Sequence, residues 1–168
     1  MGYKFNPFSR NLDDVGNYTT AMIRGQVSKM DSGTIGITTQ SIYVSTGLTA
    51  TLDTATANGL VLGTTDAFGL KSTNANPKLL RFYGSADART TSGNNKILGV
   101  KLALNSVPID ATECRAYTGG SNEEAKLVTS WMIEVDENDE VSLFMANHSS
   151  DVDIDFRRGR LIASEVFA

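Results

Sequence analysis

From Gly59 onward, apolar residues recur at every second position in short runs separated by turn-forming residues. Leu80 and Phe82 fall on one face of KLLRFYGS, and Leu98, Val100, Leu102 and Leu104 alternate with smaller or polar residues ahead of Asn105-Ser106 and Pro108. Leu127, Trp131, Ile133 and Val135 share a face after the Gly-rich break at 119–122. Val141, Leu143 and Met145 do the same after the acidic turn at 136–140, and Val152, Ile154 and Phe156 alternate with Asp153 and Asp155. A period of two sends neighbouring side chains to opposite faces, the mark of a half-buried antiparallel strand. Several such strands in succession, with no competing amphipathic helix, predict an all-β sandwich or barrel. In the last strand Ile162, Ser164 and Val166 share one face and Leu161, Ala163 and Phe167 the other, which leaves its inward face open.

The first half follows the same rule less regularly. Residues 32–56 are rich in Ser and Thr, with Ile35, Ile37, Ile42 and Val44 spaced at twos, a composition that favours strands and turns. In TAMIRGQVSKMD (20–31), Met22, Ile23, Val27 and Met30 are loosely helical in spacing but Gly25 interrupts them, which reads as a short helix or a linker. The opening MGYKFNPFSRNLDDVGNYTT gathers Tyr3, Phe5 and Phe8 around Pro7, with Leu12 following. No helical period is sustained, and Pro7 pushes Asn6 towards an extended conformation. Disordered tails are poor in aromatics, so this peptide either folds back on its own domain or docks on another protein. The expected organisation is an extended N-terminal arm and linker at 1–31 and a sandwich at 32–168.

The run VSLFMAN carries bulk on both faces. Val141, Leu143 and Met145 are assigned to the core, which turns Phe144 outward between Ser142 and Ala146. A lone exposed Phe is unremarkable, but with a second outward aromatic nearby it becomes an interface. Phe167 is the candidate for that second ring.

The chain has 168 residues, 40% of them apolar and 20% charged, with a net charge of −4. Without a concentrated basic stripe it does not read as a nucleic-acid binder. No apolar run is long enough for a membrane helix, and MGYKFNPFSR lacks the unbroken apolar segment of a signal peptide. The single Cys114 cannot close an internal disulfide, and the single His148 excludes multi-His zinc sites. A Cys–His nucleophilic pair is formally open, against the plainer reading of Cys114 as a strand residue. Dinucleotide, P-loop and nucleophile-elbow spacings are absent. The acidic turn of Asp136, Glu137, Asp139 and Glu140 fits either a calcium site or a solvated turn. Asp151, Asp153 and Asp155 either pair with Arg157, Arg158 and Arg160 or keep their face soluble. No catalytic, cofactor or metal residue is assigned, and the expectation is a non-enzyme with no cofactor.

The stretches KILGVKLALNSVPIDATE and LVTSWMIEVDENDEVSLFMANHSSDVDIDFRRGRLIASEV resemble the tumour-necrosis-factor-like (C1q-like) jelly roll. The resemblance rests on a strand entering an Asn-containing turn, an acidic turn followed by VSLFMANHS, and a short VDIDF strand before the last apolar one. Asn138-Asp139 stands where the family usually has Gly-Asp, a change that a tight turn accepts. VSTGLTATLDTATANGLVLGTTDAFGLK is similar to the first strands of phage virion proteins built on this module, and YKFNPF with NLDDVG resembles a leader of tailed-phage structural proteins. The resemblance implies a parallel homotrimer with Phe144 and Phe167 on its axis. It further implies a capsid decoration (cement) protein at the particle surface. Tyr3, Phe5, Pro7, Phe8 and Leu12 would then anchor it to the major capsid protein or another virion protein. The alternative is a head or tail fibre knob that binds host-surface glycans. Such an adhesin needs exposed Trp or Tyr, and Trp131, in phase with core positions, favours the structural role.

Overall fold

The computed structural model describes residues 22–54, 57–120 and 123–166 in full and the backbone of two strands at 3–6 and 11–14. Two antiparallel sheets pack face to face. The six-stranded sheet runs β13 (Ala125–Val135), β9 (Lys78–Thr90), β15 (Ile154–Glu165), β3 (Arg24–Lys29), β6 (Thr51–Leu52), with β4 (Gly33–Ile35) also paired to β15. The seven-stranded sheet runs β11 (Val107–Pro108), β10 (Lys96–Leu104), β14 (Glu140–Asn147), β8 (Gly69–Ser72), β7 (Leu60–Leu62). In it β12 (Cys114–Thr118) also pairs with β10, and β5 (Val44–Ser45) with β14. Neighbours far apart in sequence, such as β9 beside β15 and β10 beside β14, give this sandwich a jelly-roll connectivity.

The inward residues of both sheets make one core. Leu80 and Phe82 of β9, Leu127, Ile133 and Val135 of β13, and Phe156, Leu161 and Ala163 of β15 are buried in one cluster with Leu98, Val100, Leu102, Val141, Leu143 and Met145 of the other sheet. Phe68 and Phe156 meet edge-on at 5.6 Å between ring centroids. Close approach of the sheets needs a bare Cα at Gly84, where a Cβ would lie 2.5 Å from Leu143 Cδ2. The turn at Asn105 and Ser106 has φ of 50° and 65°, the left-handed pair that closes a two-residue hairpin between β10 and β11.

The last strand resolves the face left open by its sequence. Its pairing with β9 shifts register between Phe156 and Arg158, so the inward set passes from Ile154 and Phe156 to Leu161 and Ala163. Ile162 therefore points outward.

Two expectations are corrected. Residues 24–29 are not linker or helix but β3, paired with β15 from Gly159↔Lys29 to Ser164↔Arg24, so the sandwich takes in residues ahead of 32. Ile23 and Val27 lie four apart, a spacing that satisfies a helix and a strand alike. The intervening inward position is Gly25, whose missing side chain admits Leu60 and Leu70. Trp131 has core phase but is 46% exposed. It lies on β13, the edge of its sheet. Phase fixes the side of the sheet on which a residue stands, not whether a second layer covers it.

Candidate functional site

Three surfaces carry the candidate chemistry: the outer face of each sheet and the N-terminal segment. On the seven-stranded sheet, the positions of β10 and β14 that alternate with the core are Gly99, Lys101 and Ala103, and Ser142, Phe144 and Ala146. Phe144 stands outside the core cluster, as its phase implies, but is only 6% exposed within a single chain. The segment containing β5 pairs with β14 at Phe144↔Ser45, and Ser41 N donates to Asn147 O, so residues 41–45 run along the edge of this strand. At 6% exposure in a single chain, the ring expected at a threefold axis is already covered by its own chain. Phe167 lies outside the described residues.

The same segment brings Tyr43 over Gly99, where a Cβ would collide with Tyr43 Oη and His148 Nε2. Tyr43 Oη donates to Glu113 Oε1 at 2.6 Å and stands 3.1 Å from His148 Nε2, an arrangement satisfied by the Nε2–H tautomer of the imidazole. Arg115 donates to the same carboxylate oxygen at 2.9 Å. Lys101 Nζ lies 2.6 Å from Asp110 Oδ1, 4.0 Å from Glu113 Oε1 and 4.2 Å from the Tyr43 ring centroid, a cation–π contact. Burial, and then the hydrogen bond to Glu113, push the Tyr43 phenol well above its ordinary value. The same bond from Tyr43 is the largest influence holding the Glu113 carboxyl low. Burial first, then the Arg115 charge, hold the His148 imidazole below its usual value. With Ile97 and Ser41 these side chains line an open cleft of about 490 Å³. Only His148 of this cluster was singled out from sequence. Cys114 packs against the core side of the sheet and His148 stands on the outer side, so the formal Cys–His pair does not form.

The outer face of the six-stranded sheet is different in kind. Leu79, Tyr83, Val128 and Met132 are exposed there, and Ile162 lies directly across from Tyr83. Small Ser85, Ser130 and Ser164 lie between them, with Arg81 and Arg160 in the same rows. Arg81, Ser130, Trp131 and Met132 line a further cleft of about 370 Å³ at the β13 edge. Large apolar groups are thus gathered on one face of a chain whose net charge is −4. Sequence reading singled out none of Leu79, Tyr83, Val128 and Met132 and left the face of Ile162 open; the pairing of β13, β9 and β15 is what brings them together.

The acidic motifs have structural uses. Glu140 is 5% exposed, and its carboxylate accepts backbone N–H groups of Thr64, Thr65 and Asp66, so this member of the acidic turn is not solvated. Asp139 accepts from Asp136 N and Asn105 Nδ2, which tightens the turn at Asn138 (φ 72°). Among the described residues no group of three or more His, Cys, Asp or Glu side chains is placed to hold a metal ion. The aspartate row is paired in part: Asp155 with Arg89 and Arg157, while Arg158 bonds Asp87. Asp153 Oδ1 instead accepts Ile37 N.

Tyr3 and Phe5 fall on β1 (Tyr3–Asn6) and Leu12 on β2 (Asn11–Asp14), which pair with each other, Phe5 opposite Leu12. The ladder belongs to neither sandwich sheet. Pro7 and Phe8 lie outside the described residues.

No family model matches the sequence, and no curated protein matches it. Solved structures do match the fold. The Eiger TNF of S. frugiperda superposes with a TM-score of 0.52 at 6% identity, over 87% of this chain and 93% of that one. The PRD1 vertex protein P5 superposes with a TM-score of 0.50 at 13% identity, over 86% and 96%. Rabbit GITRL is aligned over 82% and 91% at a TM-score of 0.42. At these identities the likeness concerns the fold alone, and with the two sheets described above it identifies the chain as an all-β jelly-roll sandwich of the TNF-like type.

Proposed function

We propose that this protein is a non-enzymatic structural virion component, a homotrimeric jelly roll that decorates the capsid of a tailed bacteriophage. The observation that carries the reading is the outer face of the six-stranded sheet, where Leu79, Tyr83, Val128, Met132 and Ile162 lie among serines and arginines on a chain of net charge −4. An exposed apolar face whose rows also hold Arg81 and Arg160 suits a contact with a different surface of the next copy. Repeated by rotation, that head-to-tail contact closes a ring. The trimer contact therefore belongs on this face rather than at Phe144. The shared fold of a vertex protein supports the virion setting. Tyr3, Phe5, Pro7, Phe8 and Leu12 serve as the anchor to the major capsid protein or a neighbouring virion protein, with the sandwich on the particle surface. Three anchors on one trimer add avidity without any new contact.

Sedimentation equilibrium at micromolar concentration tests the assembly: a trimer is expected, and the double variant Tyr83→Asp, Val128→Asp should be a folded monomer. A wild-type monomer would refute the reading. Deleting residues 1–20 should abolish incorporation into particles while the sandwich still folds and trimerises. Particles decorated equally well by the truncated chain would make the globular domain the binding element. A second reading, a head or tail fibre knob, is favoured by one observation: Trp131 is half exposed beside a cleft instead of buried.

A further inference from the structure

We propose that the cleft above Gly99 is a saccharide site that takes a neutral pyranose, its apolar ring face laid on Tyr117 and Ile97 and its hydroxyls on Glu113, Arg115 and the Lys101–Asp110 pair. The proposal concerns the chain itself and does not rest on the virion reading.

The site is built from the sheet upward. Gly99 provides a floor with no side chain, and Tyr43 and His148 are seated directly over it. Tyr43 fixes Glu113 with a 2.6 Å hydrogen bond, so the carboxylate that faces the cleft is held in one orientation before any ligand arrives. Lys101, 8% exposed, is likewise immobilised between Asp110 and the Tyr43 ring. Prior ordering of this kind removes much of the entropy a weak ligand would otherwise lose. A volume of about 490 Å³ admits a monosaccharide with some water.

Charge selects the ligand class. Lys101 and Arg115 balance Asp110 and Glu113, and each cation already has a carboxylate within 3 Å. An anion would have to displace a carboxylate from its cation. A hydroxyl need not, because it can donate to Glu113 and accept from Arg115 at once. The apolar half of the site lies alongside. Tyr117, 59% exposed, is the direct cross-strand partner of Ile97, and Arg115 stands two residues from Tyr117 on the same face. An exposed ring beside fixed planar polar groups suits the apolar ring face of a pyranose together with its equatorial hydroxyls.

The test is saturation-transfer-difference NMR on the full chain with glucose, galactose, mannose and N-acetylglucosamine in turn, and phosphorus line width for inorganic phosphate. At least one sugar should receive saturation and titrate with a millimolar dissociation constant, while phosphate does not compete with it. Tyr117→Ala and Arg115→Ala, both at exposed positions, should weaken that sugar by about ten-fold or more. Tyr117→Phe should retain binding, and thermal unfolding should be unchanged in all three. Saturation of none of the four sugars overturns the proposal. So does displacement of the sugar by phosphate, or affinity that survives loss of Tyr117 and Arg115. The trimer and particle tests are untouched by either result.

Discussion

Replacing Glu140 by Ala should cost more stability than any other single change at a charged residue of the described sandwich. Its carboxylate is buried at the start of β14 and accepts three backbone N–H groups, from Thr64 at 2.9 Å, Thr65 at 3.1 Å and Asp66 at 2.6 Å. These donors belong to the connection between β7 and β8, which has no ladder partner for them. A hydrogen bond to a charged group contributes about 1.5–3 kcal/mol, and a buried donor left unmade costs about 1–3 kcal/mol. The three are not additive, because the loop can relax and water can reach Thr64 and Thr65. The desolvation cost of the native carboxylate is also recovered when it is removed. About 3–5 kcal/mol remains for Glu140→Ala, a large part of the roughly 5–15 kcal/mol available to a domain. Glu140→Gln keeps one acceptor oxygen and should lose about 1–3 kcal/mol. Urea unfolding followed by tryptophan fluorescence gives both values. Hydrogen exchange at the amides of Thr64, Thr65 and Asp66 shows whether the loss is local. A Glu140→Ala variant within about 0.5 kcal/mol of wild type, with those amides still protected, would refute the clamp.

Gly84→Ala should destabilise by about 1–3 kcal/mol in the same unfolding assay, since the new methyl meets Leu143 across the sandwich. Phe144→Ala should cost about 3–5 kcal/mol of stability without changing the sedimentation of the protein that remains folded, because the ring is covered by its own chain. The Ile23 N–H holds the Glu165 carboxyl low; burial opposes it, and the hydrogen bond and charge of Lys78 add to the lowering. The unfolded chain therefore takes up this proton first as pH falls. The stability this provides is complete above the unfolded carboxylate value and is lost as pH drops through the folded one. Glu165→Gln should flatten that acid limb of an unfolding-versus-pH curve, and an unchanged limb would exclude the linkage.

The alternation of residues in Leu98–Leu104, Val141–Met145 and Ile154–Phe156 determined, by itself, that these segments are strands and which side chains enter the core. Strand period is a local property, and the sequence carries it in full. The Asn105-Ser106 turn was legible for the same reason, since its demand for left-handed backbone is met by neighbours in sequence. Three decisions were tertiary. Whether Ile23 and Val27 belong to a helix or a strand was settled by the pairing of β3 with β15, because four-residue spacing fits both periods. Phe144 and Trp131 exchanged expected environments: the first is buried within its own chain, and the edge position of β13 leaves the second half exposed. The cleft over Gly99 gathers Tyr43, Lys101, Glu113, Arg115 and His148 from positions as much as 105 residues apart. Nothing local links them, since a strand's period tells each side chain which way to face but not which distant strand will lie beside it.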